Sequence, residues 1–344
     1  MSIIGCLSRV SDLVFGKRLS EKFQMAANVL LHEWHVFPPS GNLFSEEFAN
    51  VSDDEIREGF KDLDPESLDQ ILRYVTYKRD LAVPENCIKY FFYNYHALYR
   101  PEEIRQIPRQ EKELKEEAKK YYSSRGLELG FYESLLRHHG LKDMPAKVQE
   151  YLHGGVFLDV GACYGDSALV FAKHYQPGKI FSFEPSAPNR EIFLENMRGN
   201  GVPPSQYEVV PLGLGKECYS LKYCEIQGTC NSLQAEAHQE GKEMELKVTT
   251  CDQFCSERKL SNVKLIKADI EGMGLDMLLG SGKVIRENRP VLSLSIYHNR
   301  DELFGIYQAL KGWNLNYHIE TRMLGFPRLF TELSLLAWPE ELNS

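Results

Sequence analysis

The sequence predicts an α/β fold: a Rossmann-like, mostly parallel sheet over residues 151–344, preceded by a mainly helical region over 1–150. Three observations predict it. Up to about residue 150, apolar residues recur at helical spacing, and beyond it short β-rich runs alternate with helical stretches. An apolar run from Val156 ends near Asp159 and feeds a turn bracketed by Gly161 and Gly165, with helix formers over 168–173. A second apolar run, 179–183, ends at Glu184, where a βαβ unit places the tip of its second strand.

The first region is read from its periodicity. Over 20–35 the apolar residues Phe23, Ala26, Ala27, Leu30, Leu31 and Trp34 share a helical face. Asp64-Pro65-Glu66 opens another helix, Asp as cap and Pro in the first turn, with Leu68, Ile71, Leu72, Val75 and Tyr77 on its apolar face. Pro101 and Pro108 mark a polar connection. Residues 110–120 read as a solvated helix with pairs such as Glu111/Lys115 and Glu116/Lys120, and a further helix is expected from about Leu129 to His139, ending near Gly140. His32 and His35 lack the spacing of a His-Glu-x-x-His metal site, and the aromatic run 90–95 reads as helix packing rather than a sugar-stacking surface.

In the second region the strand candidates are 156–160, 179–183, 207–212, 246–250, 263–268, 291–297, 315–321 and 331–338. The last two are joined by a loop with Gly325, Pro327 and Arg328 that suits an antiparallel hairpin at the sheet edge.

Composition narrows the classes. The 344 residues are 43% hydrophobic and 26% charged, with net charge −9, so a broad phosphate-binding surface and a nucleic-acid partner are not expected. No apolar run approaches the roughly 20 residues that span a bilayer, and no secretory signal pattern opens the chain. Eight cysteines without close CxxC pairs point to reduced thiols in a cytoplasmic protein, with no metal site expected.

The glycine spacing is Asp-x-Gly-x-x-x-Gly, not the Gly-x-Gly-x-x-Gly of a dinucleotide site, and Glu184 lies 25 residues past Asp159. A carboxylate there can accept hydrogen bonds from both ribose hydroxyls. An adenosyl ligand without a required pyrophosphate follows, and S-adenosylmethionine fits, its amino-acid tail on the glycine turn. The run 263–268 ends in Asp269 and Glu271, acids on the same predicted rim that can orient a nucleophile, take its proton or hold a metal, or else cap the next helix. The run 291–297 ends at His298, a candidate general base or a rim histidine bonded to backbone.

These stretches resemble the FkbM-family methyltransferases, class I S-adenosylmethionine enzymes. The matching segments are 158–167, Phe183-Glu184-Pro185-Ser186 with Asn189, 249–252 and 267–272, with Arg289-Pro290 and His298 beyond. The resemblance covers roughly 150–340. It implies a seven-stranded sheet with an antiparallel last strand, and cofactor contacts at Asp159, Gly161, Gly165 and Glu184 and near Asp166 and Ser167. It also implies methylation of a hydroxyl on a sugar, glycan or natural-product-like acceptor. Asp269 or His298 would take the hydroxyl proton, with Glu271 beside them. Cys163 stands where the family often has Asn, and Gly274 where it commonly has Glu. The alternative is a non-catalytic cofactor-binding or assembly module, which the Gly274 departure motivates. Residues 1–150 are expected to act as a lid, in acceptor selection or in homo-oligomerisation.

Overall fold

The computed structural model describes residues 46–81, 100–121, 132–225, 242–325 and 332–343. The helix expected over 20–35, with His32 and His35, the aromatic run 90–95, and loop residues Pro327 and Arg328 lie outside them.

Helices α1 (Asp53–Gly59) and α2 (Pro65–Leu81) begin at side-chain caps. Ser52 Oγ accepts the Glu55 N–H at 3.1 Å, and Asp64 Oδ1 accepts from Glu66 and Ser67 at 2.9 and 3.0 Å. Helix α3 (Pro101–Ala118) corrects the expected polar connection, because Pro101 opens it and Pro108 lies inside it. The chain absorbs the lost backbone bond of Pro108 in an exposed helix supported by ion pairs such as Arg109–Glu113 at 2.8 Å.

The helix expected to run to His139 is also corrected. Its described part is one turn, α4 (Tyr132–Leu135), followed by a 3-10 segment, His138–Asp143. His138, His139 and Gly140 are left-handed, with φ of 51°, 51° and 85°, a conformation that no helix continues through. Helix α5 (Ala146–Leu152) then leads into the sheet.

The strands are β1 (Val156–Val160), β2 (Lys179–Phe183), β3 (Tyr207–Val210), β4 (Gly213–Leu214), β5 (Tyr219–Glu225), β6 (Lys242–Thr249), β7 (Val263–Ala268), β8 (Val291–Ser295), β9 (Tyr317–Met323) and β10 (Leu333–Pro339). Seven of them form one sheet in the order β3-β2-β1-β7-β8-β10-β9. The pairs β1–β2, β1–β7, β2–β3 and β7–β8 are parallel, whereas β10 runs antiparallel to both β8 and β9, as the resemblance implied. The crossovers include α6 (Asp166–His174), α7 (Ala187–Gly199), α8 (Cys251–Glu257), α9 (Gly274–Leu279), α10 (Gly282–Asn288) and α11 (Arg300–Trp313).

The candidate 246–250 is a strand, but not of this sheet. It belongs to β6, in a three-stranded sheet of order β4-β6-β5 that also contains β5, which periodicity did not suggest. Glu245 and Lys247 are exposed while Leu246 and Val248 are buried, the alternation of a strand with one wet face.

Period-2 alternation splits the core across the main sheet. Leu158, Ile266 and Leu335 face one side, where Phe48, Ile56, Ile71 and Tyr74 of the first region join them. Phe157, Leu265 and Leu336 face the other, with Leu141 and Val148. The first region therefore covers both faces. Side-chain bonds add to this, since Ser67 Oγ accepts from the Thr321 N–H at 2.9 Å and Tyr74 Oη donates to the Tyr297 carbonyl at 2.6 Å. Truncating the fully buried Ile71 to Ala should cost about 2–5 kcal/mol, read by chemical denaturation of the whole chain. A loss under about 1 kcal/mol would mean that α2 is not docked on the sheet.

Candidate active site

The turn after β1 is held by backbone bonds that leave little choice of residue. The Gly161 and Ala162 N–H groups both donate to the Phe183 carbonyl at 3.1 Å, and the Asp269 N–H donates to the Val160 carbonyl at 3.0 Å. These bonds bring the ends of β2, β1 and β7 together. Gly161 has φ of 78°, and a Cβ there would lie 1.9 Å from the Asp269 carbonyl oxygen, so only glycine fits. Gly165, with φ of 84°, caps α6, and a Cβ on it would meet the Phe193 ring at 2.7 Å. Cys163 has φ of 43°, a left-handed value that Asn adopts more readily.

A cavity of about 340 Å³ opens on this rim. Gly161, Cys163 and Asp166 line it from the first turn, Phe183 and Glu184 from β2, and Lys267, Asp269 and Glu271 from β7 and the loop beyond. Its apolar wall comes from Leu212, Leu214, Leu246 and Val248, on or beside the small sheet. His139 and Tyr297 also line it.

Glu184 is 6% exposed. Its Oε2 accepts the Cys163 N–H at 2.9 Å, and its Oε1 accepts the Ser186 N–H at 2.8 Å and Asn189 Nδ2 at 3.4 Å. Burial pushes its carboxyl up to about 7, against the pull of these hydrogen bonds.

Asp159, Gly165 and Ser167, three of the expected cofactor contacts, do not line the cavity. Asp159 is fully buried and accepts from Ser167 Oγ at 2.8 Å and Ser182 Oγ at 3.2 Å, with Lys267 Nζ 3.4 Å away. Asp159 and Ser167 act beneath the turn. Lys267 Nζ also donates to the Gly161 carbonyl at 2.9 Å. Burial opposes its charge, but Asp159, Asp269 and Asp166 outweigh it and hold the ammonium on.

His298 is buried behind Asp269 and lies outside the lining. Its Nδ1 is 2.8 Å from Glu302 Oε2, and its Nε2 is 3.3 Å from Asp269 Oδ1 and 3.7 Å from Glu271 Oε2. Burial disfavours the imidazolium, yet bonds to Asp269 and Glu302 raise its pKa well above the ordinary value. Asp269 is driven below the usual carboxylate range, since His298 and Lys267 overcome its burial. Tyr297 Oη donates to Asp269 Oδ1 at 3.1 Å and fixes its orientation. Glu271 has φ of 54°, and burial raises its carboxyl. The structure thus brings Asp269, Glu271 and His298 together, with the histidine as partner of the acids.

Glu302 escaped the sequence reading. Asn299-x-x-Glu302 has the pattern of a helix cap, and Asn299 Oδ1 does accept the Glu302 N–H at 2.7 Å. The Glu302 carboxylate turns inward instead, and its Oε1 accepts the Gly274 N–H at 2.7 Å. A Cβ at Gly274 would lie 2.7 Å from that oxygen. The Gly274 departure therefore has a steric account, with the Glu302 carboxylate filling the space beside it. Lys267 and Tyr297 adjoin predicted residues but carry no signal of their own.

A family profile described as "Methyltransferase FkbM domain" matches residues 159–324, which contain the glycine turn, Glu184, Asp269 and His298. Residues 159–324, just under half of the chain, are therefore similar to the FkbM methyltransferase domain. The FkbM methyltransferase of Methylobacillus flagellatus KT superposes with a TM-score of 0.53 at 18% identity, over 82% of this chain and 58% of that one. The chain thus spans under two thirds of that protein's length. An rRNA methylase of Streptococcus thermophilus aligns at 10% identity over 56% of this chain and 91% of its own, with a TM-score of 0.37. An O-methyltransferase of Bacillus cereus in complex with SAH aligns at 11% identity over 60% and 90%, with a TM-score of 0.36. No curated protein matches the sequence. Among the described residues, no helix is long and apolar enough to cross a membrane.

The pH behaviour of His298 checks this geometry. Free histidine titrates near 6.5, so the raised folded pKa contributes stability that is complete below that pH and is lost as pH rises through the folded value. Nitrogen-15 NMR should show His298 still protonated at pH 7, and Glu302→Gln should lower its midpoint. A neutral His298 at pH 7 would contradict the arrangement.

Proposed function

We propose that this chain is an S-adenosylmethionine-dependent methyltransferase that methylates a hydroxyl oxygen on a sugar, glycan or natural-product-like acceptor. The observation that carries this reading is a single cavity lined at once by Glu184, the Gly161 turn and the Asp269–Glu271 acids.

The lining fits the cofactor's chemistry. A carboxylate at Glu184 suits ribose hydroxyls, the wall of Leu212, Leu214, Leu246 and Val248 suits an adenine face, and Asp166 and Lys267 offer opposite charges to an ammonium and a carboxylate. When bound, S-adenosylmethionine supplies a methyl group on a positively charged sulfur. The chain's own part is alignment and proton handling. Asp269, kept ionised by His298 and Lys267, presents a fixed negative charge that stabilises the proton as it leaves the acceptor hydroxyl. Glu271 adds negative charge beside the incoming cation. His298 and Glu302 act as positioning residues that hold Asp269. Holding two reactants in line removes several kcal/mol of orientational cost, on the order of 7 in favourable cases.

In this reading residues 151–344 are the methyl-transfer domain. Residues 1–150 shape the acceptor side, supported by the contacts of Tyr74 and His139 with the site.

Calorimetry tests the cofactor half directly. The folded wild type should bind S-adenosylhomocysteine in the micromolar range, and Glu184→Ala should weaken this at least about tenfold, the loss of charge-assisted bonds of about 1.5–3 kcal/mol each. Because the Glu184 carboxyl ionises at about 7, affinity should rise between pH 6 and pH 8 and stay level in Glu184→Gln. Absence of binding by the folded wild type would refute the reading.

A further inference from the structure

His139 reaches the cavity from outside the matched segment 159–324. Two consecutive non-glycine residues in the left-handed region, His138 and His139, cost on the order of 1–2 kcal/mol each, and the surroundings hold them there. Ser293 Oγ donates to the His139 carbonyl at 2.7 Å, and Arg322 Nη1 donates to the Gly140 carbonyl at 3.1 Å. His138 Nδ1 lies 2.9 Å from Tyr175 Oη. Leu336 packs so closely on Gly140 that a Cβ there would come within 2.6 Å of it. Contacts from β8, β9, β10 and the end of α6 thus over-determine a turn that places one imidazole in the cavity wall. Strain that is so firmly held is found where a side chain must be aimed.

The ring is 6% exposed and packs against Phe171 with centroids 5.9 Å apart. Its Nε2 has no hydrogen-bond partner among the described residues. A buried polar atom without a partner requires a reason, and a ligand hydrogen supplies one. The titratable groups that bear on it are Lys267 and Asp269 from the end of β7 and the His138 imidazole from its own turn, and Asp166 of α6 lines the same cavity. Burial, reinforced by Lys267 and opposed by Asp269, keeps this imidazole neutral well below the ordinary value. His298 is the opposite case, an imidazolium between two carboxylates with no lone pair to give.

We propose that His139 is the general base of the reaction and receives the proton of the acceptor hydroxyl. The inference rests on the hydroxyl-methylating reading above. The acceptor oxygen bonds to the methyl carbon as the carbon–sulfur bond breaks, the electron pair of that bond stays on sulfur, and the hydroxyl proton passes to the His139 imidazole. Asp269, which lines the same cavity and raises the pKa of His139, stabilises the resulting imidazolium until solvent takes the proton after product release. The base thus comes from the first region of the chain, outside the segment that carries the cofactor turn.

Histidine nitrogen-15 NMR of the full chain, with and without S-adenosylhomocysteine, tests this without a known acceptor. His139→Gln assigns the signal, or His139→Asn if glutamine is not tolerated. The expected result is a His139 that stays neutral from pH 8 to below pH 6, whose signal moves when the cavity fills, and a variant that keeps ligand affinity within about threefold. With any hydroxyl acceptor the wild type turns over, the variant should lose about 10²–10⁴-fold in kcat. A His139 protonated at pH 7, a signal indifferent to the ligand, or full kcat in the variant would overturn the proposal and leave the cofactor reading intact. Failure of the wild type to bind S-adenosylhomocysteine would instead refute the methyltransferase reading itself.

Discussion

Lys267 is the cation around which the site is assembled. Its ammonium is buried, donates to the Gly161 carbonyl at 2.9 Å and lies 3.4 Å from Asp159. Asp166 and Asp269 act on it as well. Burying this many acids on one rim would repel without it, and stripping one partner from a buried pair costs about 3–5 kcal/mol. The lysine therefore does two things at once. It neutralises the floor beneath the glycine turn and binds the end of β7 to the end of β1, so that the acids after β7 open into the same cavity as Glu184.

The acidic half extends this logic outward. Asp269 is kept ionised by His298 on one side and by Lys267 on the other, and His298 is held charged by Asp269 and by Glu302 behind it. A chain of alternating charges runs from Asp159 through Lys267, Asp269 and His298 to Glu302, with Asp269 partly open to the cavity and the other four buried. Such a chain is rigid, since moving one member leaves its neighbour unpaired in a low-dielectric setting. The first region of the chain braces it, because Tyr74 bonds the Tyr297 carbonyl and Tyr297 bonds Asp269.

Much of this was legible in the sequence, for identifiable reasons. Strands β1, β2 and β7 are short apolar runs with sharp ends at Asp159, Glu184 and Asp269, and their bounds in the structure match the predicted ones. Glu184, Asp269 and Glu271 could be placed because a parallel sheet puts the carboxyl ends of its strands on one rim. The misreadings have physical causes too. Pro108 suggested a break, yet an exposed helix carries it. The helix expected up to His139 stops early because tertiary contacts from Ser293, Arg322 and Leu336 impose a left-handed turn that no local pattern encodes. His298 sits where expected, but its charge depends on Glu302, whose sequence pattern looks like an ordinary helix cap. His139 belongs to a turn that only the packed sheet makes visible.

The most direct test of the account is a crystal structure of the full chain with S-adenosylhomocysteine bound. The ribose hydroxyls should lie on Glu184, the amino-acid tail between Asp166 and Lys267, and the sulfur toward Asp269 and His139. A ligand bound elsewhere, or one that leaves Glu184 and Lys267 untouched, would contradict this placement.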